Sequence, residues 1–333
     1  MNNLLYDINE SPRSASELIV YSIQQVFAVF VATVLIATIC GTPISACLVG
    51  AGIATILYQF ITKFRSPIFI SSCGATCGAV ISAMALAPGN YSTVIVGGLT
   101  ILAVYAIVAL IVKWRGMETI NRWFPPVIVG TITIVIGANL ATFIPTYVSI
   151  DGAHSNIATF VAIVTMIAVA VSSHYFKGFW KTIPFLIGLF AGYIISIPFG
   201  LVDFSVFTNL SFFSVPDFTF EHLSTLSFAT IGKIILIFAP VALAAIMEHY
   251  SDHKVLSNII GHDLTTDPGL HRTLLGDGFG SLIGTIICGL PNTSYGESIA
   301  TVGFSRVASI RVLTTAAIML IILGFIAPIQ AFI

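Results

Sequence analysis

The stretch P291-N-T-S-Y-G-E-S-I-A300 lies between two long apolar runs, and its Glu297 is an acid where a membrane would hold hydrocarbon. A carboxylate at that depth costs a few kcal/mol on insertion scales, so ionisable groups there line a cavity or a transport path. A second acid, Glu248, ends the apolar run I231-G-K-I-I-L-I-F-A-P-V-A-L-A-A-I-M247. Two intramembrane carboxylates point to a site for a polar solute, a cation or protons.

Composition agrees with a membrane setting. Of 333 residues, 57% are hydrophobic and 8% charged, against about 25% charged in a soluble domain. The chain reads as an all-α polytopic membrane protein. A formal net charge of −1 offers nothing to nucleic acid. Cys40, Cys47, Cys73, Cys77 and Cys288 lie mostly in apolar runs, and C73-G-A-T-C77 lacks a second ligand pair for zinc. They read as small buried residues, so no metal and no cofactor is expected. The polar N-terminus M1-N-N-L-L-Y-D-I-N-E10 lacks a basic stretch and a cleavage site, so no cleaved signal peptide is expected.

A crossing needs about twenty apolar residues. Eleven candidate segments fall near 18–39, 44–62, 67–85, 93–112, 125–144, 156–174, 180–200, 227–250, 273–290, 294–309 and 311–332. With the N-terminus inside, the inner side receives Arg13, Lys63, Arg65, Lys113, Arg115, Arg122, Lys177, Lys181, Lys254, Arg272, Arg306 and Arg311. The outer loops contain no Lys or Arg, and Lys233 alone falls within a segment, near its outer end. This bias predicts a cytoplasmic N-terminus and an outer Ile333. Trp114, Trp123 and Trp180 near the inner ends fit an aromatic belt.

The third and tenth segments are interrupted, by S71-S-C-G-A-T-C-G78 and N292-T-S-Y-G-E-S298. Paired broken segments in corresponding halves mark a transporter site built from inverted repeats. Small residues let backbone approach a ligand, or simply pack helices closely; Glu297 favours the site. In M247-E-H-Y-S-D-H253, Glu248 and Asp252 share a helix face and are close enough to share a proton. His249 and His253 have the spacing of a zinc-protease helix, but Tyr250 stands where that pattern needs Glu. The plainer reading is a solvated helix end, above all for His253 and Lys254. Asp267-Pro268-Gly269 spells a turn, Asp263 and Asp267 read as loop or cap residues, and W123-F-P-P-V-I-V129 as a helix start.

Four stretches together resemble the nucleobase–ascorbate transporter family, most closely its bacterial uracil-permease branch. They are S22-I-Q-Q-V-F-A-V-F-V-A-T-V34, E248-H-Y-S-D-H-K-V-L-S-N-I-I-G261, D267-P-G-L-H-R-T-L-L-G-D-G278 and P291-N-T-S-Y-G-E297. The resemblance implies two inverted repeats of seven segments, with short strands in the third and tenth. A core domain would take segments one to four (18–124) and eight to eleven (227–333), a partial gate 125–226, and residues 1–17 a cytoplasmic N-terminus. By position, Glu297 resembles the substrate-binding acid, with the backbone of Tyr295 and Gly296 beside the base. Glu248 resembles the acid of the eighth segment, and Ala32 a small pocket residue. Gly74, with Ala75 beside it, falls where the uracil permease places Phe. Asp252 stands where some relatives carry His and many Asp.

Several positions depart from the family pattern. Gly74 removes a stacking ring, so the pocket is either larger or repacked. Gln25 replaces a His, and Ser298, Ala300 and Ser305 replace the Asn, Gly and Thr of the signature. Purine-selective relatives carry Gln where Glu297 stands, which favours uracil. The chain ends after the eleventh segment, so the expectation is a fold short of its last three spans: a fragment, a natural truncation or an engineered piece.

The resulting expectation is a nucleobase:proton symporter of the cytoplasmic membrane, not an enzyme. Its partners would be uracil or a related base such as xanthine, protons, the lipid bilayer and a second copy of the chain. Glu248, Asp252 and His249 would serve proton coupling. The rivals are an anion transporter of the related fold, an intramembrane metalloenzyme using His249 and His253, and a non-transporting binding protein.

Overall fold

A computed structural model describes residues 4–117, 120, 122, 126–150, 153–207, 211–218 and 223–331. Long helices dominate because the apolar runs must satisfy their backbone internally. They are α1 (Ala15–Cys40), α2 (Ile44–Ile61), α3 (Cys77–Leu86), α4 (Ser92–Arg115), α5 (Pro126–Ala141), α6 (Asn156–Tyr175), α7 (Pro184–Ser196), α8 (Phe228–Ile260), α9 (Leu270–Ile286), α10 (Gly296–Ser305) and α11 (Ile310–Leu323). Each of the eleven expected segments therefore holds a helix. Trp123 and Ile333 lie outside the described residues. By length and composition, five of the described helices could cross a bilayer: α1, α2, α4, α6 and α8.

Local chemistry sets the ends. Ser14 caps α1 by accepting from Glu17 N, and Gly41 at φ 65° stops it. Ser227 caps α8, which runs 33 residues to Gly261 at φ 73°. The helix therefore continues ten residues past the end of the expected segment at 250. Glu248 and His253 sit in mid-helix rather than at a frayed terminus.

The interrupted segments are a strand followed by a helix. β1 (Ile70–Ser72) pairs antiparallel with β4 (Asn292–Ser294), with Ile70 opposite Ser294 and Ser72 opposite Asn292. Cys73 N donates to Pro291 O at 2.8 Å and Tyr295 N to Phe69 O at 3.1 Å, which lengthens the ribbon at both ends. It is wholly buried. Because the strands run oppositely and each leads into a helix, α3 and α10 leave in opposite directions with their N-termini at the ribbon. A second small hairpin joins β2 (Ser149–Ile150) to β3 (Ala153–His154).

Helix α9 packs against α2 and α4 behind the ribbon. Glycine permits that approach: a Cβ on Gly278 would lie 3.0 Å from Tyr105 Cβ, and one on Gly98 would strike Thr285. Thr55 Oγ1 accepts from Ile70 N and donates to Ile70 O, each at 3.0 Å, tying α2 to β1. Helix α6 turns Phe160, Ile163, Met166 and Ile167 outward, the composition of a lipid-facing surface.

One end of the molecule gathers basic loops. The N-terminal segment lies along residues 306–310: Leu5 N donates to Arg306 O at 2.7 Å and Ala308 N to Tyr6 O at 2.9 Å. Tyr6 donates to Glu17 Oε2. Arg65 pairs with Asp267 at 2.7 Å, so the loops after α2 and α8 meet.

Candidate functional site

The ribbon brings the broken segments together, and α1 and α8 flank it. Thr33 on α1 bonds Ser71 on β1 at 2.5 Å. From α8, Asp252 Oδ2 accepts from Ser294 Oγ at 2.8 Å. A Cβ on Gly296 would stand 4.0 Å from Asp252 Oδ1. Asp252 therefore faces both the end of β4 and the first residue of α10. Glu248 lies one turn earlier on the same face of α8. Its Oε2 is buried with no hydrogen-bond partner among the described residues.

Glu297 occupies the first turn of α10. The free N–H groups and positive end of a helix favour an anion there. The residue is half-buried and Gly296 is exposed. Glu297 also borders a cleft of about 70 Å³ shared with Phe27, Lys181, Phe185 and Phe304, room for a few waters. Lys181 Nζ lies over the Phe304 ring at 5.1 Å.

Tyr295 is 6% exposed and packs among Val29, Phe30 and Phe69. Its N–H is engaged by Phe69 O. That donor is used within the ribbon, and Gly296 follows it as the first residue of α10. Gly74 and Ala75 open the turn before α3 and are half-buried, as is Ala32. A Cβ on Gly74 would meet Leu140 Cδ1 at 3.4 Å and Ile36 Cδ1 at 3.5 Å. A side chain at position 74 would thus be bordered by aliphatic side chains from α5 and α1.

Two of the family-pattern departures meet each other. Ser298 Oγ donates to Gln25 Oε1 at 2.8 Å, joining α10 to α1.

The histidines behave unlike a solvated helix end. His249 and His253 are fully buried. His253 Nδ1 lies 2.7 Å from His249 O, and Nε2 lies 2.8 Å from Tyr58 Oη. With both nitrogens bonded, His253 has no lone pair directed at a metal. His249 Nδ1 lies 3.1 Å from Asp277 Oδ2, close enough for an ion pair but off the line of a hydrogen bond. Asp277, on α9, was absent from the sequence-based candidates. It is fully buried and accepts from Thr293 Oγ1 at 3.0 Å. His249 therefore points to α9, away from the Glu248–Asp252 face.

Comparison with known proteins places this geometry in context. A family model described as a permease family matches residues 16–333. The uracil permease of Bacillus caldolyticus is 35% identical, over 100% of this chain and 77% of its own length. The uracil permease of Escherichia coli K12 is 33% identical, over 93% and 71%. The putative pyrimidine permease RutG of the same bacterium is 29% identical, over 92% and 69%. Among solved structures, the transmembrane domain of the cyanobacterial bicarbonate transporter BicA superposes with a TM-score of 0.63 over 97% of this chain and 88% of that one. At 14% identity that likeness concerns the fold alone.

Proposed function

Because the chain belongs to the permease family, we propose that it carries uracil across the cytoplasmic membrane and that a proton moves with it. The observation that carries this reading is that Asp252, with Glu248 one turn away, stands beside the residue preceding Glu297, at a buried ribbon whose two helices present their N-termini. Uracil offers two ring N–H donors and two carbonyl acceptors. Glu297 accepts a ring N–H in a charge-assisted bond. Backbone N–H groups at Gly74, Ala75 and Gly296 donate to the carbonyls. Ala32 leaves room on the α1 side, and Tyr295 holds the ribbon end in place.

Glu248 is the proton carrier in this reading. Its carboxyl group lies one helical turn from Asp252 and has an unpartnered oxygen. Asp252, tied to Ser294, senses the ribbon, and His249 contributes from behind through Asp277. The α1–α4 and α8–α11 helices form the core of two inverted repeats, and α5–α7 belong to a gate against which it slides. The opposed courses of α3 and α10 support this division. The gathering of Arg13, Arg65, Arg306 and Arg311 at one end supports a cytoplasmic N-terminus.

Three carboxylates at the site disfavour an anion as cargo, and occupied ring nitrogens on His253 disfavour a metalloenzyme. Xanthine remains a competitor, since no aromatic residue stands at position 74. Proteoliposomes holding the chain, with an imposed pH gradient, test the reading. Radiolabelled uracil should accumulate against its own gradient and collapse with the proton gradient. Equilibrium binding without gradient-driven accumulation would refute symport and leave a uracil-binding protein.

A further inference from the structure

Behind the ribbon lies a buried cluster outside the proposed uracil site. Tyr58 on α2, Tyr105 on α4, His249 and His253 on α8, and Asp277 on α9 are all fully buried. His253 is the best connected. Its Nδ1 meets the His249 carbonyl at 2.7 Å, and its Nε2 meets Tyr58 Oη at 2.8 Å. Tyr58 Oη in turn lies 2.7 Å from Ser66 Oγ. A carbonyl can only accept, so in the neutral ring Nδ1 carries the hydrogen and Nε2 accepts from the phenol. In the protonated ring both nitrogens donate, and the phenol turns its own hydrogen to Ser66. Both forms find every ring nitrogen bonded. A buried cation ordinarily lacks acceptors and counter-charge. Here the acceptors are built in, and Asp277 supplies the charge. The His249 ring, 3.1 Å from Asp277, stacks on His253 at a centroid distance of 4.0 Å. Asp277 Oδ1 has no hydrogen-bond partner among the described residues.

We propose that His253 is a proton-binding site, with Asp277 as its counter-charge, filled through Tyr58 and Ser66 from the loop that carries Lys63 and Arg65. The transfer balances. A hydronium ion gives a proton to Ser66 Oγ and is left as water, as Ser66 passes its hydrogen to Tyr58 Oη and Tyr58 passes its own to His253 Nε2. Each hydroxyl keeps one hydrogen, and the ring gains one proton and one charge; release is the reverse. Ser66 is itself buried, one residue from the exposed Arg65, so the relay begins just beneath the surface of that loop. The site is wired to the ribbon, because Asp277 also holds Thr293 in the middle of β4. Other ionisable groups nearby are accounted for: Asp252 is held by Ser294, Lys254 faces Asp263 at 3.8 Å, and Arg65 is paired with Asp267. Tyr105 faces His249 edge-on at 6.4 Å. The inference rests on the transport reading for its purpose, but it does not use Glu248 or the cargo.

Solid-state NMR of the full chain, labelled with 15N-histidine and reconstituted in lipid, tests it from about pH 5 to 8. The His253→Gln variant assigns the signal among seven histidines. The ring should pass from one N–H to two within that window. Tyr58→Phe, which removes the acceptor but keeps the ring packing, should displace the transition by about half a unit or more. A ring that keeps one N–H throughout overturns the proposal, and so does a transition that Tyr58→Phe leaves in place. In uptake, His253→Gln should bind uracil within about twofold of the parent and lose the dependence on pH at the Arg65 face. Retention of that dependence also counts against the site. A titrating His253 in a protein that takes up no uracil would support this site and refute the transport reading alone.

Discussion

Removing the Glu297 carboxylate is the sharpest perturbation of the binding geometry. Glu297 stands in the first turn of α10, where helix polarity favours its charge, and it is partly exposed beside the cleft. A hydrogen bond from uracil to this group is charge-assisted, contributing about 1.5–3 kcal/mol. Glu297→Ala deletes the acceptor and leaves a ring N–H without a partner, so uracil affinity should fall about ten- to a hundredfold. Glu297→Gln keeps a carbonyl acceptor of the same reach and loses only the charge. About half the effect should remain, a fall of roughly three- to tenfold. Equilibrium binding of radiolabelled uracil to purified protein reads both, and thermal melting of each variant checks the fold. Folded variants that both bind uracil within about twofold of the parent would show that the cargo does not contact this residue.

Glu248→Gln should abolish accumulation driven by a pH gradient while leaving uracil binding or exchange measurable; undiminished accumulation with one proton per uracil removes Glu248 from coupling. Gly74→Phe must push Leu140 and Ile36 aside, since even a Cβ would meet them at 3.4 and 3.5 Å. It should cost about 1–3 kcal/mol of stability and weaken competition by xanthine; an unchanged competition profile takes Gly74 out of the pocket wall. Gln25→Ala and Ser298→Ala should each destabilise the fold, and the double variant should lose less than their sum by about 0.5–1.5 kcal/mol. Additive losses in thermal or denaturant unfolding would mean that the Ser298–Gln25 bond contributes nothing measurable.

The sequence shows the crossings and the breaks because both are local. Apolar length marks the helices, and the Gly, Ser and Thr clusters at 71–78 and 292–298 mark where they stop. That these breaks form a paired ribbon follows from no local signal: Ile70 and Ser294 are partners across most of the chain, and only the family resemblance implied strands. The polar run Glu248–His253 misleads for the same reason. Its residues look like a solvated helix end, yet their partners are Tyr58, Asp277 and Ser294 on distant elements. Asp277 was legible by the rule that singled out Glu297, as an acid inside the ninth apolar run. Its flanking Gly276 and Gly278 let α9 close on Tyr58 and Tyr105, which is how Asp277 comes to be buried against His249.

The arrangement of β4 explains why one short strand can report on two acid clusters. Successive side chains of a strand point to opposite faces. Ser294 donates to Asp252 on the site side, while Thr293 donates to Asp277 behind. Asn292 fastens the strand to α9 through Gly280 O at 3.1 Å, and Ser281 donates to the Asn292 carbonyl. A displacement of β4 by part of a residue repeat, about 3.3 Å in full, would stretch both carboxylate bonds beyond hydrogen-bond range at once. Neither acid can then change partner without the other. No ion pair to Lys or Arg joins Glu248, Asp252 or Glu297 among the described residues. Their charge is met by no cation of this chain among the described residues, and the strand between the clusters is bonded to an acid on each side.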